Sequence, residues 1–276
     1  MHRVRSILLG LGTVLALGVA AQAAAPSTKL IDSNGHKIAF HVTPGHLPVI
    51  VLDAGGGNDS SYWNSLAPVL ASQTGSEIIT YDRAGFGQSD EVKGPWDVHS
   101  ATADLANGLK ALGVTRKIIL VSHSLAGEIA TYLTGEHPDW FVGAVMVDAN
   151  VPQFYTNEEI ARAQALYKPI LAKAKQMPQS QSARQLVQLS ESFEETSRAF
   201  HKATWPRSVP VVVIVSAQTP FESPTDANAW RAAHKQFAAA ASNRQYITAE
   251  KSSHDVAHDR PDVIIKAVTD MISRAR

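Results

Sequence analysis

The segment Ile118-Ile119-Leu120-Val121-Ser122-His123-Ser124-Leu125-Ala126-Gly127 holds the residue types that nucleophilic catalysis uses. An apolar run leads into a serine with small residues two positions away on each side, and a helical stretch opens at Glu128-Ile129-Ala130. A strand that turns sharply into a helix can hold a serine in a strained backbone with its hydroxyl exposed. Its neighbours two positions away must be small, because strand and helix converge there. Ser122 and Ala126 stand where the Gly-x-Ser-x-Gly pattern has glycine. The Leu125 N–H, at the start of that helix, is expected where developing negative charge is favoured. A second segment, Leu52-Asp53-Ala54-Gly55-Gly56-Gly57, also follows an apolar run. A glycine run there can aim backbone N–H groups into a cavity, as an oxyanion hole requires.

Such groups act together only if strands and helices bring them to one place. Short apolar runs recur at residues 48–52, 77–81, 117–121, 143–147, 209–215 and 245–249, each followed by a turn and most by a helical stretch. They are rich in Val and Ile and do not alternate, as expected of strands covered on both sheet faces. This alternation of strand and helix predicts an α/β fold with a mostly parallel central sheet, flanking helices and right-handed crossovers. Residues 28–42 predict a hairpin about Asn34-Gly35. Residues 151 to about 206 contain no β-like run and show two helical patterns, too long for an ordinary crossover. They are expected to form a helical cap insertion in a domain spanning 26–276. Ser252-Ser253-His254-Asp255-Val256 follows the last strand, which puts His254 in a loop at the carboxyl edge of the sheet, where open α/β sheets bind ligands.

The chain resembles the α/β-hydrolase superfamily over nearly all of residues 28–276. The resemblance rests on Gly55–Gly57, on Tyr81-Asp82-Arg83-Ala84-Gly85-Phe86-Gly87-Gln88-Ser89-Asp90, on the turn at 122–127, on Val147-Asp148-Ala149 and on Ser253-His254-Asp255. It implies Ser124 as nucleophile, His254 as general base, and the N–H groups of Leu125 and Gly55, or Gly56, as oxyanion donors. Relatives carry the triad acid in either of two places. After residues 209–215 the chain has no carboxylate until Glu222 and Asp226. One strand earlier, Asp148 stands directly at the strand end, and it is the first choice. The chain departs from the family in having Asp53-Ala54 where a His-Gly pair is usual, and in lacking both elbow glycines. Asp82 and Arg83 are read as structural, tying their turn to neighbouring loops.

The resemblance implies a serine hydrolase that cleaves carboxylic esters of small or medium substrates. Lactonase, amidase or related hydrolase chemistry on the same triad is an alternative, as is a catalytically silent binding protein on this fold. Lys+Arg and Asp+Glu each number 25, so no charge surplus points to nucleic acid. The absence of Cys excludes disulfides, thiolate catalysis and Cys-ligated metal. His254 and His258 are spaced as a metal pair but have no third ligand cluster, and the glycine run lacks the Gly-Lys-Ser/Thr of a phosphate loop. No cofactor or metal is expected, and the expected partner is a small ester-like molecule. His123 is read as a packed or hydrogen-bonded neighbour, and Trp205 as a pocket-lining residue. Residues 1–25 read as a secretory signal peptide: Arg3 and Arg5, an apolar stretch, then small-x-small cleavage sites ending at Ala23 and Ala25. The mature protein is therefore expected to be secreted or periplasmic, with no stable membrane association.

Overall fold

The computed structural model describes residues 26–176 and 180–275. The expected leader, residues 1–25, lies outside the described residues. Strands β1 (Ser27–Ser33) and β2 (His36–Thr43) form an antiparallel hairpin. Its turn puts Asn34 at φ 55° and Gly35 at φ 88°, the left-handed pair that suits the twist of hairpin strands. Six further strands follow: β3 (His46–Asp53), β4 (Ser76–Asp82), β5 (Ile118–His123), β6 (Phe141–Val147), β7 (Val211–Ser216) and β8 (Arg244–Ala249). The eight-stranded sheet has the order β1-β2-β4-β3-β5-β6-β7-β8. β2 runs antiparallel to β4, and all pairings from β4 to β8 are parallel. The strands stand where the apolar runs predict them.

The helices are α1 (Ala67–Thr74), α2 (Val98–Ala111), α3 (Ala126–Glu136), α4 (Asn157–Ala174), α5 (Gln181–Glu191), α6 (Phe193–Phe200), α7 (Pro224–Ala239), α8 (Val256–Asp259) and α9 (Pro261–Ala275). Both faces of the sheet are covered, which is why its central strands lack polar alternation. In β5, Ile118 and Leu120 join the core under α2, α3 and α7, with Leu105, Ile129 and Phe237. Ile119 and Val121 join the opposite core under α1, α8 and α9, with Leu70, Val256 and Ile264. Complete burial of such side chains is worth about 1.5–3 kcal/mol each.

Two features of the topology fix where chemistry can occur. The chain runs from β3 outward to β4, then crosses back to β5 on the other side of β3. The strand order therefore reverses between β3 and β5, and the crevice at their carboxyl ends is where such sheets bind ligands. The second feature is the segment between β6 and β7, where α4, α5 and α6 pack on one another. Thr156 caps α4 by accepting from Glu159 N at 3.3 Å, and Ser180 caps α5 by accepting from Ala183 N at 3.2 Å. Among the described residues no helix is long and apolar enough to cross a membrane.

Candidate active site

Ser124 stands between β5 and α3 with φ 53°. That left-handed conformation in a residue with a Cβ is strained and lifts the side chain from the sheet edge. Neighbours hold it in place: Ser124 N donates to Val147 O at 3.3 Å, while Ser124 O accepts from Asn150 N at 2.8 Å and Gly127 N at 3.0 Å. Small side chains at 122 and 126 suffice. The tightest backbone approach is at Gly127, where a Cβ would lie 2.2 Å from Asn150 O.

The Ser124 hydroxyl donates to His254 Nε2 at 3.0 Å, and His254 Nδ1–H donates to Asp148 Oδ2 at 2.7 Å. His254 occupies the loop between β8 and α8. That loop is held by Ser253, whose N and Oγ donate to Asp259 at 2.7 and 2.6 Å, and by Gln218 N, which donates to Ser252 O at 2.9 Å. Asp148 follows β6 with φ 43° and is 0% exposed. Two groups besides His254 donate to it. Ser216, at the end of β7, gives its hydroxyl to Oδ2 at 2.6 Å and its N–H to Oδ1 at 3.2 Å. Trp230, on α7, gives its indole N–H to Oδ1 at 2.8 Å. Burial pushes this carboxyl up, but the His254, Ser216 and Trp230 hydrogen bonds outweigh it and hold the group below the ordinary carboxylate range. It is therefore ionised at neutral pH, which fixes the proton of His254 on Nδ1 and leaves the Nε2 lone pair for Ser124.

The alternative acids lie elsewhere. Asp226 accepts from Arg162 Nε on α4 at 2.7 Å, and Glu222 is exposed. His258 donates from Nδ1 to Asp255 at 2.7 Å, away from Ser124. His123 has its own task. It is buried, stacks on Tyr62 with ring centroids 4.7 Å apart, and donates from Nε2 to the backbone O of His254 at 3.0 Å. Burial, reinforced by the charge of His254, pushes His123 down to about 4, so it is neutral at pH 7.

The glycine loop after β3 packs against the elbow. A Cβ on Gly55 would lie 2.7 Å from His123 Nδ1 and 3.1 Å from Ser124 Cβ, so only glycine allows this approach. Arg83 fixes the orientation of the loop. Its guanidinium, buried after β4, donates to Asp53 Oδ1 at 2.6 Å, to Ala54 O at 2.5 Å and to Gly55 O. In a trans peptide the N–H points away from its own C=O. With the carbonyls of 54 and 55 turned toward Arg83, the N–H groups of Gly55 and Gly56 point the opposite way. Burial pushes Asp53 up to about 6 against the pull of Arg83. Gly56 and Leu125 line the cavity itself, while Gly55 packs against His123 and Ser124.

That cavity, of about 940 Å³, opens over Ser124 and His254. Phe154, Phe221 and Trp230 form aromatic walls, and α4, α5 and α6 cover it through residues such as Tyr167, Leu189 and Phe193. Trp205 does not line it. It is buried against Phe237 at 5.9 Å between centroids and donates to Val209 O at 2.9 Å, because the chain has left the cap and is returning to β7. Trp230 takes the place expected of Trp205. The Ala227, Trp230, Ala233 and Phe237 spacing on α7 carries the signal: a tryptophan near the helix start, beside the carboxyl edge, needs an acceptor for its N–H.

A mostly parallel sheet with a strained serine at its switch point, a histidine–aspartate pair beside it and a helical cap above defines an α/β hydrolase. The chain matches the model of the alpha/beta hydrolase family over residues 50–267 and belongs to that family. It is 25% identical over 227 residues to the uncharacterized protein YqjL of Bacillus subtilis (strain 168), covering 80% of this chain and 82% of that one. Other curated relatives match over as little as 20% of their own length. Among solved structures, an esterase from Exiguobacterium antarcticum superposes with TM-score 0.68 at 14% identity, covering 90% of this chain and 100% of that one. The enol-lactonase from Burkholderia xenovorans LB400 superposes with TM-score 0.61 at 18% identity, covering 89% and 100%.

Proposed function

We propose that this hydrolase cleaves carboxylic esters of small or medium size through an acyl-enzyme on Ser124. The observation that supports it most is the continuous relay from Ser124 Oγ to His254 at 3.0 Å and on to Asp148 at 2.7 Å, under an apolar cavity. Ser124 Oγ attacks the ester carbonyl while His254 Nε2 takes its proton. Asp148 keeps the imidazole in the receptive tautomer and stabilises the imidazolium. The N–H groups of Leu125 and of the Gly55–Gly56 loop hold the tetrahedral oxyanion. His254 then returns the proton to the departing alcohol. In the second half a water, deprotonated by His254, attacks the acyl-enzyme and releases the acid. The relay needs no cofactor. The cap excludes bulk water and sets the length of substrate that fits.

Lactone opening follows the same steps with the alcohol retained on the product, so lactones belong in the substrate panel. The test is steady-state hydrolysis of esters graded in acyl length, alongside lactones and amides. The expected result is ester or lactone turnover that Ser124→Ala abolishes, with an acyl-enzyme burst for activated esters. Turnover that survives Ser124→Ala contradicts the reading. We further propose that the protein is exported, with cleavage after Ala23 or Ala25. N-terminal sequencing of the mature protein tests this, and an intact Met1 contradicts it.

A further inference from the structure

Glu128 sits on α3 one turn beyond Ser124 and takes no part in the relay. It is 3% exposed and lines the cavity together with its neighbour Asn150. Glu128 Oε1 accepts from Asn150 Nδ2 at 2.7 Å. Oε2 is buried and accepts no hydrogen bond within the protein. The Tyr155 hydroxyl lies near the same carboxyl and favours its charged form, but it does not reach hydrogen-bond geometry at Oε2. The other carboxylates of the cavity wall, Glu191 and Glu194, are exposed on the cap helices. A buried carboxylate oxygen with no donor is costly to maintain, and native structures keep such groups rarely. Here the residue lines the same cavity as Ser124, in a wall that also carries Phe154, Phe221 and Trp230.

We infer that Glu128 is a specificity residue: it accepts a hydrogen bond from a hydroxyl or ammonium group that the substrate carries a few bonds from the reacting carbonyl. The inference rests on the reading of Ser124 as the nucleophile. A substrate donor pairs the orphan oxygen, whereas a methyl group in the same place leaves it unpaired. Sites built around a buried polar group reject the analogue lacking its partner more steeply than apolar pockets reject a missing methylene. Burial pushes the Glu128 carboxyl up to about 7, a penalty that an incoming donor offsets.

Matched fluorophosphonates test this directly. In each, Ser124 Oγ bonds to phosphorus, fluoride leaves and the hydroxyl proton passes to His254. The probes differ only in a terminal hydroxyl, amino or methyl group, on either the P–C or the P–O substituent. The expected result is labelling at least about tenfold faster with a donor-bearing probe than with its methyl counterpart, on one of the two substituents. Glu128→Leu should abolish that ratio. Glu128→Gln keeps an acceptor oxygen but no charge, so it should retain a hydroxyl preference and lose an ammonium preference, which separates the two donors. Equal wild-type labelling by all probes overturns the inference and leaves the nucleophile standing. A ratio that persists in Glu128→Leu also overturns it, and limits Glu128 to holding Asn150. No labelling of folded wild-type protein removes the nucleophile reading and the inference with it.

Discussion

Asp148 shows how the site is maintained at the scale of single residues. The carboxylate is completely buried, and donors from β7, α7 and the His254 loop keep it charged. Asp148→Asn keeps the shape but admits the wrong imidazole tautomer, and kcat should fall roughly 10⁴-fold, as in other triads. Steady-state kinetics with circular dichroism to verify folding measures this. Trp230→Phe removes one donor while keeping an aromatic wall. It should cost about 1–3 kcal/mol of stability by urea unfolding. It should also raise the pKa of Asp148, so the pH at which the fold is lost on acidification moves up. An unchanged acid-unfolding midpoint would limit Trp230 to packing. Ser124, Asp148 and His254 are legible in the sequence because each follows an apolar run. The spacing on α7 marks Trp230 as an inward-facing residue, but its bond to Asp148 and that of Ser216 are not legible, because they depend on the β6–β7 register and on the placement of α7 beside it.

At the scale of elements, the loop after β3 depends on the turn after β4. Arg83 reaches across to the carbonyls of Ala54 and Gly55 and pairs with Asp53. Arg83→Met leaves Asp53 buried without its cation and should destabilise the fold by about 3–5 kcal/mol. Arg83→Lys keeps charge but loses the planar fork that serves three acceptors at once. It should lower kcat far more than it changes KM, since in the proposed reaction the loop's N–H groups serve the developing oxyanion. Comparing both kinetic constants in the two variants checks this. The sequence motif marks Asp82 and Arg83 as structural ties, but not which loop they hold. The elbow teaches a similar lesson. The pattern directs attention to positions 122 and 126, where Ser and Ala fit. The strict requirement falls at Gly127, where an added methyl group would meet Asn150 O at 2.2 Å. Gly127→Ala should therefore destabilise by about 1–3 kcal/mol in thermal unfolding, and an unchanged midpoint would contradict that packing.

For the whole molecule, buried titratable groups set opposing pH dependences. Asp148, held below its ordinary range, contributes stability above that range and loses it as pH falls through the folded value. His123, pushed down from 6.5 to about 4, contributes fully above 6.5 and progressively less as pH falls from there toward 4, because the unfolded chain protonates first. Glu128, pushed up from 4.5 to about 7, acts in the opposite sense: the folded chain retains a proton that the unfolded chain releases, so stability falls as pH rises through that window. Glu128→Gln removes this penalty. Its stability relative to wild type should increase between about pH 5 and about pH 8, by about 3 kcal/mol at the upper end. Thermal melts of both proteins across that range measure it. The sheet is legible nearly strand by strand, since full burial of both faces leaves a distinctive Val/Ile signature. The cap is legible as a gap in that rhythm, but its packing and the cavity beneath it are not, because they arise from contacts between distant segments. The central claim is that the relay activates Ser124. Fluorophosphonate labelling of the folded protein, followed by peptide mapping, tests it most directly. A single adduct on Ser124 that Ser124→Ala eliminates is the predicted result. Labelling at another residue, or none at all on folded protein, contradicts the account.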